Sequence, residues 1–317
     1  MLHYNAPGRR SVGLAEVMAM RARCLAGLLG LVVGLAGLRV AAAEPLRVTV
    51  SIPPLQGLAA RLGGDRVAVS SFMNETQDPH TFSPSPRAVA SLGRSALIFT
   101  VGIDFEAAVC EKIRQAFPGV EIVDVSAGLS RSPGVACSGH GHEGHDHAAH
   151  DHDAVSDPHL WLSVPNLLHM AGRMAEALER RLPEQRQAIA ANLAALRQEY
   201  EAAHADYARR LEGLRGAVLY VYHPSFGYFA RDYGLVQQAV EIDGKSPSPR
   251  QLSALIAQAG EAKVRMIVVQ PQFPQRSAQI LSERIGGQVI AINPLSADPL
   301  GAIGQAVAAL ERTRGAR

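Results

Sequence analysis

Twelve histidines occur in the 317-residue chain, and half of them stand in one stretch, residues 138–153, which reads SGHGHEGHDHAAHDHD. His140, His142, His145, His147, His150 and His152 are interleaved there with Glu143, Asp146, Asp151 and Asp153. Such a segment has nothing to pack in a core, so it reads as a solvated loop. Neutral imidazole is the commonest metal ligand, and repeated His-x-His pairs offer many ways to gather two or three nitrogens around one ion. A mobile loop loses entropy when it orders, so a site built there should be weaker than a preformed one. Imidazole suits zinc, copper and nickel alike, so the run indicates a transition metal without choosing it.

Three other histidines have distinctive neighbours. His80 lies in Asp78-Pro79-His80-Thr81-Phe82, and His159 in Asp157-Pro158-His159-Leu160-Trp161. His223 lies in Tyr222-His223-Pro224-Ser225-Phe226-Gly227-Tyr228. Singly, each reads as an ordinary loop histidine. Together they occur in both halves of the chain, at least two of them near the carboxyl ends of expected strands, where open α/β sheets bind ligands.

The elements that must position them follow from periodicity. Residues 47–52, 67–72, 96–101 and 121–125 are short β-branched runs, separated by helical patterns at 55–62, 86–92 and 105–116. The second half repeats the grammar, with strands expected at 217–222, 237–240, 266–269 and 288–292 and helices at 249–259, 276–285 and 300–312. Strands alternating with helices predict an α/β fold with parallel sheets covered by helices. Between the halves, Ile189, Leu193, Leu196, Tyr200, Ala203, Tyr207, Leu211 and Leu214 recur at helical spacing. They predict one helix over 183–214, a rod of ~48 Å. A coiled-coil segment is the competing reading, disfavoured by the Ala and Tyr in the stripe and its short run.

Composition narrows the class. Hydrophobic residues at 47% and charged residues at 19% fit a globular chain rather than a disordered one. A formal charge of +2 is too small for a nucleic-acid binder. Arg9, Arg10, Arg21 and Arg23 precede the uncharged apolar run 24–38, which Ala41-Ala42-Ala43 follows. Basic start, short apolar run and small-residue cleavage site predict a secretory signal over 1–43, too short in its apolar part to span a bilayer. Its removal takes five of the 31 basic residues and one of the 29 acidic ones, leaving 26 against 28, a net charge of −2. The expected product is a soluble periplasmic protein. Two of the three cysteines, Cys110 and Cys137, remain, and the oxidising compartment suggests a disulfide between them.

At this point the chain resembles the solute-binding proteins of metal-importing ABC transporters, the zinc and manganese cluster. The resemblance covers nearly all of 46–300. Its marks are Gly63-Gly64-Asp65, Asp78-Pro79-His80 with Ser83-Pro84-Ser85-Pro86, and the segment from Gly102 to Glu106. Asp157-Pro158-His159-Leu160-Trp161, Tyr222-His223 with Phe226-Gly227-Tyr228, Tyr233-Gly234 and Ser246-Pro247-Ser248-Pro249 complete the series. Each motif is weak alone; the ordered and correctly spaced series is specific. A histidine-rich loop before the second histidine is typical of the zinc-binding members.

The resemblance implies two α/β lobes, each a parallel-type sheet flanked by helices, joined by one long rigid helix with the metal in the cleft between them. The expected division is 1–43 signal, 44–182 first lobe with the loop 138–153, 183–214 connecting helix and 215–317 second lobe. It implies ligand roles for His80, His159 and His223, with Zn(II) as cargo. Manganese-type relatives carry a carboxylate at the third position, and three imidazoles favour zinc. Many relatives place an aspartate in the last strand-to-helix loop, where this chain has Asn293; Asp298 lies five residues on, and a water is the other candidate fourth ligand. The acid some relatives carry just before the first histidine is Pro79 here, and the family's acid after the strand at 266–269 is Gln270.

The expected function is capture of Zn(II) outside the cytoplasm and its delivery to an ABC permease, by a monomer that is not an enzyme; a periplasmic zinc chaperone is a further candidate partner. Two alternatives stay open. Zinc on three histidines with a water is also a hydrolytic arrangement, although no acid flanks the three histidines in an evident general-base position. An extracytoplasmic metal buffer or adhesin is the other.

Overall fold

Strand β1, Leu46–Val50, is the centre from which the first sheet grows. A computed structural model describes residues 44–132, 156–242 and 244–314. The signal expected at 1–43 and the histidine-rich loop expected at 138–153 lie outside the described residues. All the elements below belong to one unit beginning at Pro45.

Val48 and Val50 of β1 are buried, and β1 pairs in parallel with β2, Val67–Ser71, and with β3, Leu97–Thr100. Strand β4, Glu121–Asp124, pairs in parallel with β3, giving the order β2-β1-β3-β4. All four residues of β3 are buried, the near-continuous apolar run that a strand covered on both faces requires. Three helices connect these strands: α1 at Pro54–Gly63, α2 at Pro86–Ser91 and α3 at Asp104–Ala116. The second sheet repeats the plan. Strands β5, Val218–Val221, β6, Val236–Ala239, β7, Met266–Val269, and β8, Gln288–Ala291, run parallel in the order β6-β5-β7-β8. Its helices are α6 at Gly227–Tyr233, α7 at Pro249–Glu261, α8 at Arg276–Ile285 and α9 at Pro299–Arg314. Helix α6 was not expected; Gly234, in the left-handed conformation, closes it after seven residues.

The Ser-Pro pairs start helices, as their chemistry dictates. The Ser85 hydroxyl accepts the Ala88 N–H, and Ser248 the Gln251 N–H, with Pro86 and Pro249 in the first helical turn. Ser163 caps α4, Val164–Arg181, in the same way.

Helix α5, Arg186–Leu211, lies between the two sheets in the chain, extended at either end by 3-10 turns at Pro183–Gln185 and Glu212–Leu214. It packs on α4, α1 and α9. Ile189, Leu196, Tyr200 and Leu211 are buried, so the expected stripe faces this chain's own helices and the coiled-coil reading is not needed. Polar bonds fix it to both halves. Asn192 donates to the Leu62 carbonyl at 2.9 Å, while Arg210 pairs with Glu311 of α9. One apolar cluster runs from Val48 through Trp161 and Leu196 to Ile303, so the halves share a core as well as a helix. Such a joint resists wide hinge opening. Among the described residues no helix is long and apolar enough to cross a membrane.

The expected Cys110–Cys137 bridge is not seen. Cys110 is a buried free thiol on α3, and burial raises its pKa; Cys137 lies outside the described residues.

Candidate metal centre

The carboxyl ends of β2, β5, β6, β7 and β8 converge with the segment 156–159, the crevice that parallel sheets offer to ligands. His223 follows β5 directly, held there by an amide clamp. The buried Gln270, just past β7, accepts the His223 N–H through Oε1 at 3.1 Å and donates from Nε2 to the His223 carbonyl at 2.7 Å and to Ser225 Oγ at 2.9 Å. A carboxylate could not donate, so it is the amide of Gln270 that lets it act as a backbone splint.

His159 enters the cleft at the start of the 3-10 turn Leu160–Leu162. The Asp157 carboxylate accepts both the His159 backbone N–H, at 2.9 Å, and the ring Nδ1–H, at 2.8 Å. Gly227 makes this approach possible, because a Cβ there would stand 2.6 Å from Asp157 Oδ2. His80 rides on the loop between β2 and α2. There Asp78 accepts the His80 N–H at 2.9 Å and the Thr81 hydroxyl at 3.1 Å. The Phe82 ring packs edge-on against Phe72 and Phe105, anchoring that loop to the first sheet.

The three ring nitrogens meet. His80 Nε2 lies 3.1 Å from His223 Nε2, which lies 3.3 Å from His159 Nε2. One ligand atom from each histidine falls within 4.8 Å of the others. Tetrahedral zinc with bonds of about 2.0–2.1 Å to nitrogen sets ligand nitrogens about 3.3 Å apart. The two spacings to His223 match that shell. Trp161 and Phe273 wall the cleft: the Phe273 ring stacks on His223 at 4.5 Å and 20°, and Trp161 lies 5.3 Å from His159. Pro79, Pro294 and Leu295 complete the wall, and Trp161 Nε1 donates to the Pro294 carbonyl at 2.7 Å.

Electrostatics select the neutral, ligand-ready imidazole. Withdrawal from water, with His159 and His223 alongside, lowers the His80 pKa to about 4. Burial lowers that of His159, against the opposing pull of Asp157. Metal need not displace a proton from either ring at neutral pH.

Reasoning from sequence found the three histidines and missed what orients them. No acid stands in a general-base position, but two acids lie behind the rings: the Glu241 carboxylate is 2.7 Å from His223 Nδ1, and Asp157 is 2.8 Å from His159 Nδ1. Both sit on the outer ring nitrogens, where they orient the rings. The repeated Asp-Pro-His tripeptide could have revealed Asp157. Nothing local marks Glu241, which parallel pairing of β5 with β6 delivers, its N–H bonded to the Tyr222 carbonyl. The candidate fourth ligands lie elsewhere. Asn293 turns its amide to Gln272 and Glu75, and Asp298 accepts the Gly301 N–H at the start of α9. Gln272 lines the cleft where neither of those two does.

Two α/β lobes joined through one long helix, with three imidazoles gathered in the cleft, define a solute-binding protein for a borderline metal ion. Comparison with known proteins agrees. The family described as zinc-uptake complex component A, periplasmic (ZnuA), matches residues 48–307. The chain is 28% identical over 279 residues to the high-affinity zinc uptake system protein ZnuA of Haemophilus ducreyi, covering 84% of this chain and 90% of that protein. A crystal structure of ZnuA superposes with a TM-score of 0.75 at 31% identity, over 85% of this chain and 99% of its own. A zinc-bound deletion mutant of ZnuA gives 0.74 at 30%, over 84% and 97%. The chain belongs to the family of periplasmic zinc-uptake components. It is a zinc-binding protein that serves an ABC permease from outside the cytoplasm.

Proposed function

We propose that His80, His159 and His223 hold the transported Zn(II) through their Nε2 atoms, in a mature chain that begins after residue 43, and that the ion is handed on without chemical change. The observation that carries this reading is the pair His159 and His223. Each has its Nδ1–H committed to a carboxylate, so their Nε2 atoms both present lone pairs, 3.3 Å apart. Two facing lone pairs repel each other, and a shared cation turns that repulsion into two bonds. The carboxylates raise ring basicity and fix the tautomer, as outer-shell partners of zinc-bound histidines do.

The transport reading is favoured over a hydrolytic one by where the acids stand. Asp157 and Glu241 engage the outer nitrogens, whereas a general base would face the water on the metal. The histidine-rich run 138–153 collects metal ahead of the cleft, and the protein acts as a monomer that meets its permease, and a periplasmic chaperone, one at a time.

Calorimetric titration of His80→Ala, His159→Ala and His223→Ala tests the site. Each substitution should abolish the tight phase while leaving the weaker sites of the 138–153 run. A tight phase that survives in any one of them removes that histidine from the site.

A further inference from the structure

Glu75 stands five residues before His80, in the loop between β2 and α2, and its side chain crosses to the other lobe. Oε1 accepts the Ala297 N–H at 2.7 Å and Oε2 accepts from Asn293 Nδ2 at 3.3 Å. The Glu75 carbonyl also accepts from Gln272 Nε2, which donates to Asn293 Oδ1 at 2.7 Å as well. The loops that receive Glu75 follow β7 and β8, and they carry the cleft walls Phe273, Pro294 and Leu295. A second contact holds the same pair of surfaces together. Gly57 of α1 faces the Ala297 carbonyl so closely that a Cβ would stand 2.3 Å from its oxygen.

The three ligands are not held alike. His159 and His223 are buried and pinned by carboxylates, whereas His80 is the least buried of the three and rides on the Glu75 loop. We infer that Glu75 is a positioning residue: a latch that holds the His80 arm shut across the cleft and sets how long the metal stays bound. This rests on the three-histidine reading of the site. Opening the His80 arm must break the two bonds to the carboxylate, and bonds to an ionised acceptor are the strong kind. The polarity of the latch is fixed. Asn293 Oδ1 already accepts from Gln272 Nε2 and from the Leu295 N–H at 3.0 Å, so its NH₂ group must face Glu75.

That polarity supplies the test. In Glu75→Gln the two amide NH₂ groups face each other, and in Asn293→Asp two carboxylates do. In the double variant, Glu75→Gln with Asn293→Asp, the amide introduced at position 75 donates to the carboxylate introduced at position 293. The bond is restored with its direction reversed. Each protein, loaded with one equivalent of zinc, is mixed with excess chelator and the release followed by stopped flow. Each single variant should release zinc about tenfold faster, the size expected for one lost charge-assisted bond, and the double variant should return to within about threefold of the parent. Release at the parent rate in both single variants overturns the latch, and so does a double variant faster than either. Slower release from Asn293→Asp also overturns it, because the new carboxylate would then act on the metal itself. His80→Ala is measured alongside: if it keeps the tight site, the ligand assignment fails, whatever the latch variants do.

Discussion

His159 and His223 direct their Nε2 atoms at each other across 3.3 Å while Asp157 and Glu241 hold the opposite ring nitrogens at 2.8 Å and 2.7 Å. A carboxylate accepts and does not donate, so the proton of each neutral ring must sit on Nδ1. Tautomer and ring orientation are thus set by two acids that do not touch the cargo. The electron pairs that would bind zinc are organised by the fold ahead of the metal.

Weakening that organisation should weaken zinc. Asp157→Asn and Glu241→Gln each replace an obligate acceptor by an amide that can donate, which allows the wrong tautomer. Each should lower affinity about 10- to 100-fold, the usual cost of losing a partner behind a metal-bound histidine. Competition against a chelating indicator measures it. Affinities equal to the parent would mean that the rings are oriented by packing alone.

Metal choice should follow the donors. Three imidazole nitrogens favour zinc over manganese, which prefers oxygen. His223→Glu by itself would set a new carboxylate against Glu241, the present partner of His223 Nδ1. The useful variant is therefore His223→Glu with Glu241→Gln, which should narrow the zinc-to-manganese ratio while lowering zinc affinity. Competition of both ions at one pH decides it; a parent protein that already binds manganese as tightly as zinc would refute the three-nitrogen argument.

Acid should destabilise the zinc-free protein through the same rings. The His80 pKa falls from 6.5 to about 4 on folding, by burial and the two neighbouring imidazoles, and that of His159 falls as well, chiefly by burial. Between about pH 6.5 and about pH 4 the unfolded chain binds more protons than the folded one, so stability rises with pH across that window. The contribution of His80 is intact above about 6.5, declines as the pH is lowered, and is gone below about 4. Denaturant melts of the zinc-free protein should show this slope, and His80→Asn should flatten it. Equal slopes in parent and variant would show that the ring titrates alike folded and unfolded.

The order of residues was enough to find the elements and the three histidines that the fold brings together. Alternating β-branched runs and helical patterns place each of the eight strands to within two residues, and β3 and β7, buried along their whole length, are continuous or nearly continuous apolar runs in the chain. Proline after serine marks where α2 and α7 begin, since both act through bonds within one helical turn. The three histidines are legible because each sits in a distinctive local motif. Helix α6 was not, since seven residues make only about two turns. What surrounds the ligands was settled by packing alone. Glu241 reaches His223 through the register of β6 on β5, and Gln270 does so from the end of β7. Glu75 finds Asn293 and Ala297 across 218 and 222 positions of chain. Local patterns in a sequence report the interactions that close within a turn or along a strand. The partners that orient a ligand or latch a cleft meet only when the two sheets pack about one long helix, and no spacing in the chain records that meeting.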